Sequence, residues 1–207
     1  MPEPHTVGDD AHAVVVLAAG GSRRLGVPKQ LLTRDGEPLL RRCVRLAAGT
    51  APARLLVVLG AQAERMHAAL EGLDCRPVHN SDWTRGMQAS VRAAASGVDA
   101  FGRVLVLGCD QPALERAHLQ HLLDGAAAAA SGCAATLAED AAPGIPAVVP
   151  GHWFTHLEDA GQDRGFGPRL RALPRASLHL LHAPALWLDL DTPAQLEIAR
   201  HRGLVDA

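Results

Sequence analysis

Apolar positions along this chain gather into short runs, and polar or glycine-rich stretches separate them. Ala13–Leu17, Arg54–Leu59, Arg76–His79 and Arg103–Leu107 read as strands, the first, second and fourth almost continuously apolar, as in strands covered on both faces. Weaker strands are predicted at Ala134–Leu137, Ala147–Val149, Ser177–Leu181 and Leu186–Leu188. The helix candidates are Pro38–Ala48, Ala61–Leu70, Met87–Ala95, Glu115–Gly125 and Pro193–Arg200, with Pro38 and Pro193 suited to a first helical turn. The Ala126–Ala130 run ends the fourth helix or links it onward. This alternation predicts an α/β layered fold around a largely parallel sheet. Residues 139–175, rich in Pro, Gly and charge, break the alternation and are expected to form an insertion near the strand ends that recognises a second ligand.

Composition narrows this picture. The 207 residues fit one domain, taken as residues 13–207 after a polar lead-in, 1–12, expected to be disordered and lacking the apolar core of a signal peptide. The net charge of −2 gives no basic surplus for a nucleic-acid partner, and no apolar run approaches a membrane span. Cys43, Cys75, Cys109 and Cys133 form no C-x-x-C pair, so reduced thiols and a cytoplasmic setting are expected, with Cys109 a small strand-end residue.

The candidate chemistry begins where the first strand ends. Residues 17–32, LAAGGSRRLGVPKQLL, form a glycine-rich, basic turn of the kind that brings backbone N–H groups and cations to phosphates. A Walker loop is excluded by spacing: Gly21 and Gly26 are correctly separated, but Val27 stands where the lysine belongs. The G-G-S-R-x-x-G turn of short-chain dehydrogenases fits Gly20–Gly26, yet those enzymes need a catalytic tyrosine and this chain has no tyrosine. The whole segment resembles L-A-A-G-x-S-x-R-x-G-x-P-K-x-L-L, the signature loop of the sugar-phosphate and cofactor nucleotidyltransferases, and most of all the molybdenum-cofactor cytidylyltransferase-like group.

Further motifs follow later strands. Asp110 in Gly108-Cys109-Asp110-Gln111-Pro112 lies at a strand terminus, where a carboxylate meets a cation held by a triphosphate or else caps the next helix. Trp187–Pro193 resembles the family's D-[IL]-D-T-P segment; Asp189 is the preferred second carboxylate with Asp191 close behind, since Asp191 or Thr192 also makes a natural N-cap. Asn80–Ser90 resembles N-x-x-W-x-x-G-M-x-x-S, which borders the nucleotide. There Gly86 permits close approach, Asn80 and Ser90 are candidates to bond base or ribose, and Trp83 serves either the core or the ligand.

The resemblance implies a single three-layer Rossmann-like domain with a mixed, mostly parallel sheet. It implies Mg2+ on Asp110 with Asp189 or Asp191, and a nucleoside triphosphate, CTP by the L-A-A-G form, bound by Leu17, Ala18, Ala19, Gly20, Gly21, Ser22, Arg24, Lys29, Asn80, Gly86 and Ser90. Lys29 would neutralise the α-phosphate, Arg24 and the turn's amides would hold the β- and γ-phosphates, and an already ionised phosphate of molybdopterin would attack without a general base. A molybdoenzyme or its maturation factor would receive the product. Guanylyl or uridylyl transfer to another phosphorylated acceptor, or a non-catalytic cofactor carrier, are the alternatives. Retention of Lys29, Asp110 and the later aspartates argues against the carrier.

Residues 161–171 depart from the family's G-D-x-G-A-R segment: Gln162 intrudes and Phe166-Gly167-Pro168 replaces the Ala-Arg step. Arg164, Arg169 and Arg171 there form either an anion grip for the acceptor or a solvated loop. Pairs His118/His121 and His152/His156 have zinc-like spacing but lack a completing ligand, so packed or solvated histidines are expected.

Overall fold

The structure is a computed structural model that describes residues 11–156 and 165–207. In chain order its strands and helices are β1 (His12–Ala18), β2 (Thr33–Arg34), β3 (Glu37–Pro38), α1 (Leu39–Ala48), β4 (Arg54–Leu59), α2 (Ala63–Ala69), β5 (Arg76–His79), α3 (Met87–Val98), β6 (Arg103–Gly108), α4 (Arg116–Ala128), β7 (Ala134–Leu137), β8 (Pro143–Val149), α5 (Gly167–Ala172), β9 (His179–Leu181) and α6 (Pro193–His201). β2 and β3 make a separate small hairpin. The remaining seven strands form one sheet in the order β5-β4-β1-β6-β8-β7-β9, in which β8 alone runs against the others. The predicted α/β class and mostly parallel mixed sheet are therefore observed.

Alternation along β1 explains the layers. Val14, Val16 and Ala18 pack into one apolar cluster with Leu40 and Val44 of α1, Met66 of α2 and Leu119 and Leu122 of α4. Ala13, Val15 and Ala19 face the opposite cluster, with Val91, Ala94 and Val98 of α3 and with Trp153, Phe154 and Phe166. A strand covered on both faces has no reason to alternate polarity, hence its continuous apolar run. A third, smaller cluster joins Leu25 and Leu39 to Leu190, Leu196, Ala199 and Val205. It packs the end of the chain against the turn that follows β1. None of the described helices is long and apolar enough to cross a membrane.

Several elements differ from expectation. Leu186–Leu188 is no strand: Pro184–Trp187 coils into a 3-10 turn, and the Trp187 indole donates to the Leu137 carbonyl at the end of β7 at 2.9 Å. Pro38 is the extended residue before α1 and pairs with Thr33, so the helix starts one residue later. The stretch expected to interrupt the alternation contains β8, whose second half is the predicted strand Ala147–Val149; it begins four residues earlier and pairs antiparallel to β6 and β7, a direction that alternation of strand and helix does not anticipate. It also contains the short α5, with Pro168 in its first turn. β1 begins at His12, inside the expected lead-in; residues 1–10 of that lead-in lie outside the described residues. Glu115, whose carboxylate closes a capping box with His118, caps α4, so Asp110 does not cap it.

His12 is buried at the base of β1, and its Nε2 lies 2.9 Å from Thr50 Oγ1, which gives its own proton to the Ala47 carbonyl. The imidazole is therefore the donor. Burial, aided by the Arg103 charge, holds its pKa below the ordinary value. The unfolded chain then binds a proton first as pH falls, so stability is complete above about pH 6.5 and declines below it. Melting temperatures between pH 7.5 and 5.5 should fall less in His12→Gln than in the unaltered protein; parallel curves would remove His12 as the cause.

Candidate active site

The chain leaves β1 toward β4 on one side, whereas β6 lies on the other, so the C-terminal ends of β1 and β6 flank the point where strand order reverses. Ligands of open α/β sheets sit in that crevice. Two segments distant in sequence meet there. The turn 19–28 follows β1, and Asp110 follows β6, where its carbonyl accepts a hydrogen bond from Leu190 N at 2.9 Å. That backbone contact carries Asp189 and Asp191 to the end of β6.

Lys29 is the centre of the group. Its Nζ donates to Asp110 Oδ2 at 2.7 Å and to Asp191 Oδ1 at 2.8 Å, while Arg24 donates to Asp191 Oδ2 at 2.6 Å. Burial alone would lower the Lys29 pKa, but the charge and hydrogen bond of Asp110, then those of Asp191, hold it above the usual lysine range. Burial likewise works to raise Asp191, and the Lys29 and Arg24 contacts outweigh it, leaving the carboxyl below its ordinary value. Asp189 lies close by with no cation in ion-pair contact among the described residues. Burial first, then the Asp110 charge, push it up to about 7, against a hydrogen bond with Gln111 that lowers it. Arg24 is largely exposed, so its pair with Asp191 adds little stability on its own.

Thr192, not Asp191, caps α6: its hydroxyl accepts from Gln195 N, and Pro193 opens the helix. The Gln195 carboxamide oxygen in turn accepts from Thr192 Oγ1 at 2.9 Å and from Asp191 N at 3.2 Å. The cap thus leaves the Asp191 carboxylate free for Lys29. Thr192→Ala should cost about 1 kcal/mol in chemical denaturation, the usual loss for an N-cap; a change near zero would show that water or Gln195 replaces it.

The turn itself is shaped by its neighbours. Gly21 and Gly60 lie against the Trp83 ring, and a Cβ on Gly60 would come within 2.8 Å of the Ala19 carbonyl. Arg23 stacks over Trp83 at 5.6 Å. Trp83 is therefore the wall on which the turn rests, packed against the α3-side core. Gly86 has φ +95°, which favours glycine, and leads directly into α3. Asn80 and Ser90 are both buried and bonded to each other at 3.1 Å, and Asn80 Oδ1 accepts from Asp82 N. These atoms order the segment from within.

Gln111 is a site residue that the motif contains but to which sequence reasoning gave no role. Its Nε2 donates to the Leu186 carbonyl at 3.0 Å and the Ile145 carbonyl at 3.4 Å, tying the β6 end to β8 and to the segment that carries Asp189. The three arginines of the divergent stretch separate. Arg164 lies outside the described residues. Arg169 stacks on Trp153 at 4.2 Å and donates to the His156 carbonyl. Arg171 lines a cleft of about 610 Å³ with Met87, Pro143, Ile145, Phe166 and Leu170. His118 accepts from Glu115 N and His156 packs against Thr155 and the His152 carbonyl, which accounts for one member of each histidine pair locally. The four cysteines are free thiols, with Cys109 buried at the end of β6.

Residues 14–179 match the model of the MobA-like NTP transferase domain. A bifunctional protein GlmU from Kineococcus radiotolerans is 41% identical over 130 residues, 60% of this chain and 26% of that protein. The chain thus spans about a quarter of the length of the curated relatives it matches. Rv0371c from Mycobacterium tuberculosis H37Rv superposes with a TM-score of 0.76 at 25% identity, over 92% of this chain and 98% of that one; its manganese complex gives 0.72 at 24%, over 91% and 97%. Molybdopterin-guanine dinucleotide biosynthesis protein A from Archaeoglobus fulgidus shares the fold, with a TM-score of 0.65 at 18% identity over 92% and 97%. With the basic turn after β1 and Asp110 after β6 both covered by one family model, this chain belongs to the MobA-like NTP transferase domain family.

Proposed function

We propose that this chain transfers a nucleoside monophosphate from a nucleoside triphosphate to an anionic, phosphorylated acceptor and releases pyrophosphate. The observation that carries the reading is Lys29 Nζ, held 2.7 Å and 2.8 Å from two carboxylates at the close of an N–H-rich turn. A fixed cation at that point stabilises the negative charge that grows as the α-phosphorus is attacked in line. The N–H groups of the turn and Arg24 bind the β- and γ-phosphates; the phosphates compete with Asp191 for Arg24, whose exposure lets it swing. An ionised phosphate on the acceptor attacks without a base, which suits a site with no Ser-His-Asp or Cys-His arrangement among the described residues.

Magnesium fits these donors. Asp110 with Asp189 or Asp191 offers hard oxygen ligands, the one or two carboxylates that Mg2+ takes alongside phosphate oxygens and water. No three acidic, His or Cys groups among the described residues converge as a preformed metal cluster, so the phosphates themselves would supply the other ligands. Asp189, pushed up to about 7 by burial and its acidic neighbours, is a group whose ionised form a nearby cation would favour. When bound, the ion neutralises phosphate charge and polarises the bond to phosphorus.

Within this class our reading is cytidylyl transfer to molybdopterin, with a molybdoenzyme or its maturation factor as the receiving partner. The L-A-A-G form of the turn supports it. The cleft beside Ile145 and Met87, rimmed by Arg171, offers the acceptor an apolar floor and a cation. The test is pyrophosphate release with magnesium and each of CTP, GTP, UTP and ATP, with and without molybdenum-loaded molybdopterin. Release with CTP that depends on the cofactor is expected. Release with another base changes the nucleotide assignment, and tight nucleotide binding without release changes the acceptor.

A further inference from the structure

The turn after β1 has to present N–H groups outward although it has neither a full Walker sequence nor a helix of its own behind it. The structure answers with one buried side chain. Gln30 follows Lys29 in the 3-10 turn Lys29–Leu31, and the two consecutive side chains diverge: Lys29 enters the site, while Gln30 runs beneath the turn and is 1% exposed. Its Nε2 donates both protons, to the Ala18 carbonyl at 3.1 Å and to the Gly20 carbonyl at 2.7 Å. Its Oε1 lies 3.4 Å from Ser22 Oγ, and that same Oγ accepts from Lys29 N at 3.1 Å.

The consequence follows from peptide geometry. In a trans peptide the C=O and the N–H of the next residue point in opposite directions. Drawing the Gly20 carbonyl inward therefore turns the Gly21 N–H outward. Ser22, held at φ +50°, continues the curve, and among the described residues the N–H groups from Gly20 to Arg24 donate to no backbone carbonyl. Successive outward N–H groups in such a curve make an anion-binding concavity. The Ser22 bridge also fixes the backbone of Lys29, whose ammonium joins Asp110 and Asp191.

We propose that Gln30 is a positioning residue for polyphosphate: its carboxamide sets the orientation of the turn's N–H groups and the backbone origin of Lys29, without touching substrate. The inference rests on the nucleotidyl-transfer reading only in taking the ligand of the turn to be a polyphosphate. A buried glutamine with every proton committed is otherwise an expensive choice for a position that leucine would fill.

Calorimetric titration of the full chain with inorganic pyrophosphate, CTP and CMP in magnesium buffer tests it. Gln30→Leu should weaken pyrophosphate and CTP by about tenfold, the equivalent of roughly one lost hydrogen bond to a charged group, and leave CMP within about twofold. A variant that is merely destabilised weakens all three alike or none, and either result overturns the proposal. Should Gln30→Leu not fold, Ser22→Ala on the accessible turn carries the test: pyrophosphate weakened by about threefold with CMP unchanged is expected, and an unaltered pyrophosphate affinity overturns the proposal. If the unaltered protein binds CTP but its pyrophosphate moiety contributes nothing, the inference falls while nucleotide binding stands. If it binds none of the three, the nucleotidyl-transfer reading falls as well.

Discussion

Lys29→Met should lower kcat/KM for pyrophosphate release by about two to three orders of magnitude, or about 3–4 kcal/mol, as expected for loss of one preorganised charge at the reacting group. The side chain keeps its length and loses the ammonium that lies between Asp110 and Asp191. Two effects add. The developing charge on phosphorus loses its fixed partner, and two carboxylates lose the cation between them. Lys29→Arg should rescue little, because a planar fork cannot stand at 2.7 Å and 2.8 Å from two separate carboxylates in the space of an ammonium. The variant should also melt lower, since removing one member of a largely buried ion pair leaves the others uncompensated. Activity within threefold of the unaltered protein would take Lys29 out of the reaction and leave it a structural ion.

Asp110→Asn is the second large effect. Turnover should drop by about 10³-fold, near 4 kcal/mol, because the amide keeps the shape but loses the charge that would hold a divalent ion against the phosphates. The dependence of the residual rate on magnesium concentration should shift to higher concentration. Nucleotide binding measured in EDTA should change only a few-fold, since the turn and Trp83 wall remain. This variant also separates an enzyme from a carrier: a protein that only stores a cofactor would bind its cargo unchanged and have no turnover to lose. Full turnover by Asp110→Asn would move the metal, if one is used, to Asp189 or to Asp191.

How much of this was legible beforehand depends on the distance over which each feature is set. β4, β5 and β7 have the predicted bounds, β1 and β6 differ by no more than a residue at either end, and β8 begins four residues before the predicted strand. Local apolar runs decide β1, β4 and β6, because burial on both faces demands apolar residues at nearly every position, whereas the edge strand β5 is largely exposed. The antiparallel direction of β8 was not legible, since it is settled by pairing with β6 and β7 and leaves no mark in local composition. Leu186–Leu188 has strand-like residues, but Pro184 opens a 3-10 turn there and the segment joins no strand ladder.

The sequence by itself determined the strand–helix alternation, the basic glycine turn at 17–32 and the identity of Lys29 and the three aspartates. These are properties of residue type and short spacing. Only the tertiary structure decided what those residues do to one another. Asp191 meets Lys29 across 162 positions of chain because Leu25, Leu190 and Leu196 share a small core and Leu190 N pairs with the Asp110 carbonyl. Thr192 takes the cap and releases Asp191, Asn80 and Ser90 satisfy one another, and Gln30 proves to be the hidden support of the turn. Each outcome is a competition among hydrogen-bond partners, and which partners are within reach is known only once the chain has packed.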